Sequence, residues 1–259
     1  MSAPACNFAW YELMTTDTTA AAAFYDSVVG WTSTDVSQGA MTYFSFNSGA
    51  TGMAGLLTLP KEACDMGQPP SWIGYIHVPD VDAHAAKVVE AGGSILKPPT
   101  DVPGMLRFTV VSDPQGAAFV IFTPDPRMPD SVERPLPPTP GTIGWHELYT
   151  TDLEGGFAFY SSLFGWEKIN DMDMGPMGIY RIFGVGEKQI GGMMANVPNI
   201  PVPCWGFYFQ VDAIGAAMER VKAGGGTIVN GPHQVPGGSW IIQGMDPQGA
   251  MFSLVSNVA

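Results

Sequence analysis

Residues 10–31 read WYELMTTDTTAAAAFYDSVVGW, and residues 145–166 read WHELYTTDLEGGFAFYSSLFGW. The two stretches carry the same residue at 12 of 22 positions, at a fixed offset of 135. The repeat continues downstream at an offset of 133, where the turn sequence DPQG occurs at 113–116 and again at 246–249. Because an internal repeat at so long a period indicates a duplicated domain, two copies of one module are predicted.

A proline-rich segment separates the two copies. Residues 124–140 contain seven prolines, which remove backbone hydrogen-bond donors and hold a chain extended. We therefore predict a first module over 1–123, a linker over 124–141 and a second module over 142–259. Each module is long enough to bury a core of its own.

The composition narrows the classes of function. Of the 259 residues, 46% are hydrophobic and 14% charged, with 24 acidic and 11 basic residues and a net charge of -13. Such a surface repels phosphate backbones and anionic lipids, so we expect a small-molecule partner and neither nucleic acid nor a membrane. We expect a monomer or a homodimer. The three cysteines form no CxxC pair, and neither a secretory signal nor a membrane-spanning run is found, so a cytoplasmic location is expected.

Each module reads as two βαβββ units in succession. In the first unit, Phe8 to Thr15 alternates as a half-buried strand does, and Asp17 is predicted to cap a helix over Thr18 to Val29 that Gly30 ends. The strand and helix pattern restarts at Trp72. Short strands with one helix per unit predict an α+β fold, in which each module forms a curved mixed sheet with a concave cleft opposite its helices.

These motifs carry a resemblance to a known family. The WxELxTTD opening, the FYxxxxGW helix end and the closing DPxG turn resemble the vicinal oxygen chelate superfamily, which includes glyoxalase I, bleomycin-resistance proteins and extradiol dioxygenases. The WxELxTTD variant is similar to a bacterial subgroup of two-module glyoxalase-like proteins. For the enzymes of the superfamily, the resemblance implies a divalent metal held in the cleft by His, Glu or Gln side chains.

The positions that the resemblance assigns to metal ligands carry unsuitable residues in both modules. They are Trp10, Gly55, Ile73 and Val120 in module one, and Trp145, Gly192, Gly206 and Ser253 in module two. Nearby, Glu12 with His77 and Glu147 with Gln210 give only two protein ligands per cleft, which is too few for a dependable metal centre. We therefore expect no metal. Because dinucleotide and phosphate-loop patterns are lacking as well, we expect no other cofactor.

Glu12 and Glu147 are the predicted catalytic candidates. Side chains two residues apart share a face of a strand, so each glutamate is expected to point into the cleft beside Trp10 or Trp145. Each carboxylate either braces its strand by accepting hydrogen bonds or acts on a ligand as acceptor or general base. The predicted ligand-binding residues are Trp10, Tyr75, His77, Trp145, Tyr208 and Gln210.

Two functions remain open on this sequence. The favoured one is a protein that binds a small, largely apolar molecule without a metal, which resembles the bleomycin-resistance proteins. The alternative is a glyoxalase-like lyase or isomerase, or a hydroxylase, with Glu12 or Glu147 as general base. Binding is favoured because the catalytic relatives depend on a metal to stabilise an enediolate or activate oxygen, and no other source of that stabilisation is evident.

Overall fold

Two eight-stranded mixed sheets form the framework of the protein in a computed structural model, which describes residues 6–37, 39, 42–127, 136–195, 200 and 202–259. The strand order is β2-β3-β4-β1-β5-β8-β7-β6 in module one and β10-β11-β12-β9-β13-β16-β15-β14 in module two. The two orders are equivalent, because each module repeats the unit βαβββ. The predicted α+β fold with two tandem modules is confirmed.

The elements of module one are β1 (Phe8–Thr15), α1 (Thr18–Val29), β2 (Thr32–Asp35), β3 (Tyr43–Ser48), β4 (Thr51–Thr58), α2 (Lys61–Asp65), β5 (Ser71–His77), α3 (Val81–Glu90), β6 (Ser94–Val102), β7 (Leu106–Ser112) and β8 (Ala118–Pro124). Those of module two are β9 (Ile143–Thr150), α4 (Leu153–Phe164), β10 (Glu167–Asp173), β11 (Ile179–Val185), β12 (Lys188–Ala195), β13 (Cys204–Gln210), α5 (Ile214–Ala223), β14 (Thr227–Gln234), β15 (Trp240–Met245) and β16 (Met251–Ser256).

The first helix of each module begins and ends where its capping residues require. The Asp17 side chain accepts a hydrogen bond from the backbone of Ala20, and Gly30 ends α1 in the left-handed conformation at a φ of 84°. Asp152 caps the start of α4 and Gly165 ends it in the same way, with a φ of 69° at the glycine. An aspartate supplies the acceptor that the first turn lacks, and a glycine takes a positive φ without strain.

The chain also divides into two compact units, which cut across the modules. One unit contains β5–β8 and β9–β12, and the other contains β1–β4 and β13–β16, apart from a few residues at strand ends. The module boundaries at 123 and 142 stay a prediction. Within the predicted linker, residues 128–135 lie outside the described part. Further along, the backbone amide of Thr139 donates a hydrogen bond to the Leu136 carbonyl.

The repeated motifs build the core of each unit. In the unit with β1–β4, the Tyr25 hydroxyl donates to Asp246 over 3.1 Å and accepts from the Trp72 indole over 2.9 Å. The same aspartate accepts from the backbone amides of Gln248 and Ala250 in its DPQG turn. A buried carboxylate is tolerated where several donors satisfy it, so the FY and DPQG motifs stabilise each other.

The other unit repeats this arrangement. The Tyr160 hydroxyl donates to Asp113 over 3.1 Å and accepts from the Trp205 indole over 2.9 Å. Tyr160 also stacks on Trp166, which in turn stacks on Phe183 with ring centroids 4.8 Å apart. Burial of each such ring stabilises the fold by about 2 to 3 kcal/mol.

None of the helices that the structure describes is long and apolar enough to cross a membrane.

Candidate functional site

The two faces of β1 have different environments. Tyr11, Leu13 and Thr15 are buried, whereas Trp10 and Glu12 on the opposite face are half-buried. Helix α1 packs on the strands of this half of the sheet, where the Tyr25 ring contacts the Phe46 ring edge-on at 5.7 Å. The alternation predicted from the sequence therefore holds, and Glu12 shares a face with Trp10.

Glu12 lies in a hydrogen-bond relay with two aromatic side chains. The Tyr43 hydroxyl donates to Oε1 of Glu12 over 2.8 Å and accepts a hydrogen bond from the Trp10 indole. Burial, followed by the charge of Glu12, raises the pKa of Tyr43. The phenol therefore stays protonated near neutral pH and holds the carboxylate in one orientation.

A glycine of β4 makes room for this relay. A Cβ atom on Gly55, which pairs with Glu12 in the sheet, would lie 2.0 Å from the Tyr43 hydroxyl oxygen. The Tyr43 phenol therefore occupies the space that a side chain at position 55 would need. Trp10 packs beside Gly52, where a Cβ atom would lie 3.4 Å from Cη2 of the indole, an ordinary van der Waals contact.

A groove lies beside the relay on the same face of the sheet. Thr34 pairs with Ser45, Ser45 pairs with Gly55, and Gly55 pairs with Glu12, so the side chains of this row point to one side. The groove is lined by Thr32, Thr34, Val36, Ser45, Asn47, Gly49 and Ala50. Trp10 and Ser45 both approach Gly52, which connects the groove to the relay. We call this surface the Glu12 site: Trp10, Glu12, Tyr43, Ser45 and the groove.

Module two repeats the relay in a more enclosed form. The Trp145 indole donates to the Tyr180 hydroxyl over 2.8 Å, and that hydroxyl is hydrogen-bonded to Glu147. The Tyr149 hydroxyl also donates to Oε2 of Glu147. Glu147 is only 5% exposed. Tyr180 lies over Gly192, where a Cβ atom would meet the phenol at 2.1 Å.

A cysteine lies near the enclosed glutamate. Burial, followed by the negative charge of Glu147, raises the pKa of the Cys204 thiol to about 11. At neutral pH this thiol is therefore protonated and is a poor nucleophile.

Tyr75 and His77 lie on β5 in the other unit from the Glu12 site. Tyr75 pairs with Val120 and His77 with Phe122, and the rings of both residues contact the Phe122 ring edge-on at 5.9 Å and 5.8 Å. Burial lowers the pKa of His77, so the imidazole is neutral near pH 7. Their predicted role in ligand binding stays a prediction.

Tyr208 and Gln210 lie on β13, in the same unit as the Glu12 site. The Tyr208 hydroxyl accepts from the Gln243 amide over 3.1 Å, and the Gln243 oxygen accepts from Asn230 over 2.9 Å. The backbone of Gln210 pairs with Gly141 and Thr142, and its side chain is buried. These contacts hold both residues in place, and their predicted role in ligand binding is likewise untested.

The donor set on these faces does not suit a divalent metal. At the position of a fourth-strand ligand, Gly55 supplies no donor, and the space above it is occupied by the Tyr43 phenol. Trp10 uses its indole N–H within the relay. Among the described residues, no group of three or more His, Cys, Asp or Glu side chains is placed to hold a metal ion.

Tyr43 and Tyr180 were not predicted from the sequence as site residues. A signal for them was present, because the offset of 137 that relates these tyrosines also relates Gly55 to Gly192. The glycines were noted only as lost ligand positions. Each glycine leaves space for a tyrosine of the neighbouring strand. This relation depends on the sheet register, which the sequence does not specify.

Comparison with known families agrees with this fold. The sequence profile of the Glyoxalase/Bleomycin resistance protein/Dioxygenase superfamily matches residues 7–121 and 142–254. "Putative glyoxylase CFP32" of Mycobacterium bovis is 32% identical over 95% of this chain and 93% of its own length. "Anthracycline biosynthesis protein DnrV" of Streptomyces peucetius is 31% identical over 95% of this chain and 92% of its own length.

Solved structures with this fold are similar over the whole chain. A Mn(II)-bound glyoxalase from Novosphingobium aromaticivorans aligns with a TM-score of 0.69 at 16% identity, covering 99% of this chain and 84% of its own. The 2,3-dioxygenase LapB from Pseudomonas sp. KL28 aligns with a TM-score of 0.65 at 12% identity, covering 99% and 93%. At these identities the similarity concerns the fold alone.

Proposed function

Because this chain belongs to the Glyoxalase/Bleomycin resistance protein/Dioxygenase superfamily, we propose that it binds a small, largely apolar molecule at the Glu12 site of module one. Trp10 supplies an apolar wall, and the Glu12 carboxylate is the polar anchor. Module two keeps the same relay as a structural element. Glu12 is thus the functional member of the repeated pair of glutamates, and Glu147 is the brace.

The difference in exposure between the two glutamates carries this proposal. Glu12 is half-buried beside a groove, whereas Glu147 is 5% exposed and is bonded to two phenols. A carboxylate that a ligand can reach, on a rigid strand and oriented by a neighbour, is suited to recognition.

The chemistry of the site favours an aromatic or polycyclic ligand with a hydrogen-bond donor. The Trp10 ring offers a flat contact, the Glu12 carboxylate accepts a hydrogen bond, and Thr34, Ser45 and Asn47 can bond to polar groups at the rim. The names of two relatives, one for anthracycline biosynthesis and one for glyoxylase activity, support a small organic molecule as the ligand class.

Catalysis with Glu12 as general base is the second candidate. A half-buried carboxylate held by a phenol can accept a proton from a bound ligand. The same placement serves binding, so turnover has to be measured separately. A chemically unchanged ligand after prolonged incubation supports binding alone.

Fluorescence titration with 2-naphthylmethanol tests the proposed site. We expect saturable binding at one site per chain, weakened about five- to thirtyfold by Trp10→Leu because a ring contact contributes about 1 to 2 kcal/mol. Trp145→Leu should leave the affinity within about twofold. Equal loss in both variants, loss only with Trp145→Leu, or no saturable binding in the unaltered protein contradicts the proposal.

A further inference from the structure

The part of the chain that builds the Glu12 site has an unusual charge distribution. Residues 1–60 contain no Lys, Arg or His and four carboxylates, Glu12, Asp17, Asp26 and Asp35. All of β1, α1, β2, β3 and β4 come from this stretch. Glu12 lies on the face of the Glu12 site, whereas Asp17 and Asp26 belong to α1 and Asp35 points to the opposite side of β2 from Thr34. The stretch as a whole is therefore negative, and the Glu12 carboxylate is its charge at the site.

The basic residues elsewhere in this unit do not offset that charge. Lys61 pairs with Asp65 at 2.6 Å, Arg220 with Asp212 at 2.6 Å, and Lys222 with Glu219 at 2.8 Å. These are all the lysines and arginines of the unit that the structure describes. Each is neutralised locally by its own carboxylate, so the unit keeps an excess of negative charge.

The aromatic side chains of the site suit a positive charge as well. Trp10 and Tyr43 lie beside the Glu12 carboxylate, and their ring faces carry negative electrostatic potential. An ammonium group at this place would contact a carboxylate and one or two aromatic faces together. That combination is the arrangement by which proteins select protonated and quaternary amines.

We propose that the ligand of the Glu12 site is cationic, an aromatic or polycyclic molecule that carries a protonated amine or a quaternary ammonium group. This inference rests on the proposed function and adds the charge of the ligand to it. Glu12 pairs with the ammonium group, Trp10 contacts the apolar rings, and the polar rim of Thr34, Ser45 and Asn47 bonds to further substituents.

Three probes that share one ring system and differ in charge test this inference. They are 2-naphthylmethylammonium, 2-naphthylmethanol and 2-naphthylacetate, titrated against the full chain at low and at high salt. We expect the ammonium probe to bind about tenfold more tightly than the alcohol, and the carboxylate about tenfold more weakly, at low ionic strength. Salt should reduce both differences, because it screens exposed charges.

Two variants assign the preference to one residue. Glu12→Gln should reduce the ratio of ammonium to alcohol affinity to about twofold or less. Glu62→Gln removes the same charge from an exposed position on α2, and it should keep the ratio. Equal affinity for the ammonium probe and the alcohol, or tighter binding of the carboxylate, overturns the cationic ligand while leaving the site itself intact. If neither the ammonium probe nor the alcohol binds, the proposed function fails and the cationic ligand with it.

Discussion

Glu12 and Glu147 stand at the same position of a repeated motif, yet their neighbours give them different properties. Each accepts a hydrogen bond from a tyrosine that lies over a glycine of the adjacent strand. The Tyr149 phenol donates a further hydrogen bond to Glu147. Glu147 is 5% exposed, whereas Glu12 is half-buried, so the two copies of the motif differ in the exposure of the carboxylate.

The stability of glutamine variants should reflect this difference. We expect Glu147→Gln to lower the free energy of unfolding by about 1 to 3 kcal/mol, since it weakens buried charge-assisted hydrogen bonds. Glu12→Gln should cost less than about 1 kcal/mol. Urea denaturation of both variants checks the expectation, and a larger loss for Glu12→Gln than for Glu147→Gln would reverse the assignment.

The glycine beneath Tyr43 provides a second test at the residue scale. Gly55→Ala places a methyl group where the phenol lies, so we expect a loss of about 1 to 3 kcal/mol and displacement of Tyr43 from Glu12. Gly215→Ala is the matched control: it lies in α5 with its nearest neighbour atom at 3.8 Å, and it should stabilise the protein slightly. Full tolerance of Gly55→Ala would show that the ring does not need this space.

At the scale of the strand, β9 buries a histidine on the face opposite Glu147. His146 stacks on Phe8 with ring centroids 4.2 Å apart, and its Nδ1 donates to the Ile190 carbonyl at 2.5 Å. Burial lowers the pKa of His146 to about 4. The imidazole is therefore neutral in the folded protein at pH 5 to 7, whereas it titrates near 6.5 in the unfolded chain.

This shift predicts the sign of a pH effect. Because the unfolded chain takes up the proton more readily, the contribution is fully present above about pH 6.5 and is lost as the pH falls towards 4. The loss amounts to roughly 3 kcal/mol at most. The measurement is the unfolding free energy of the unaltered protein and of His146→Gln from pH 7.5 to 4.5. The difference between the two proteins separates the contribution of His146 from that of the carboxylates. A difference that does not change with pH would contradict a buried neutral imidazole.

The elements differ in how well the sequence predicts them. Helix α1 was predicted at its observed bounds because Asp17 and Gly30 are capping residues with a local physical cause. Strand β2, Thr32–Asp35, was missed because its short polar sequence lacks hydrophobic alternation. His84 is 7% exposed, since helix α3 turns that face towards its sheet, and the helix sequence alone does not indicate this burial. Features with a local cause, such as helix caps, could be predicted from the sequence, whereas features that depend on packing between elements could not.

At the scale of the whole molecule, the repeat leaves open which half of one module packs with which half of the other. Tyr25 could meet Asp113 of its own module or Asp246 of the other, because both aspartates lie in identical DPQG turns. The structure pairs Tyr25 with Asp246 and Tyr160 with Asp113. Each compact unit therefore draws half of its core from each module, which no pattern within one copy could indicate.

Separated modules should therefore be unstable as monomers. We expect a fragment of residues 1–127 to lack cooperative unfolding when monomeric, because the partners of its Tyr25 core lie in β13–β16. Mixing it with a fragment of residues 136–259 should restore the near-ultraviolet circular dichroism of the full chain. Cooperative unfolding of the monomeric fragment, independent of its concentration, would contradict this organisation.

The most direct test of the Glu12 site follows the seven tryptophans of the chain. The protein is labelled with 5-fluorotryptophan, each 19F resonance is assigned by a Trp→Phe variant, and 2-naphthylmethanol is added in steps. We expect the Trp10 resonance to shift in a saturable way while the Trp145 resonance stays in place, since only module one presents a reachable glutamate beside its tryptophan. A shift of Trp145 without a shift of Trp10, or no saturable shift at either, would contradict a ligand site in module one.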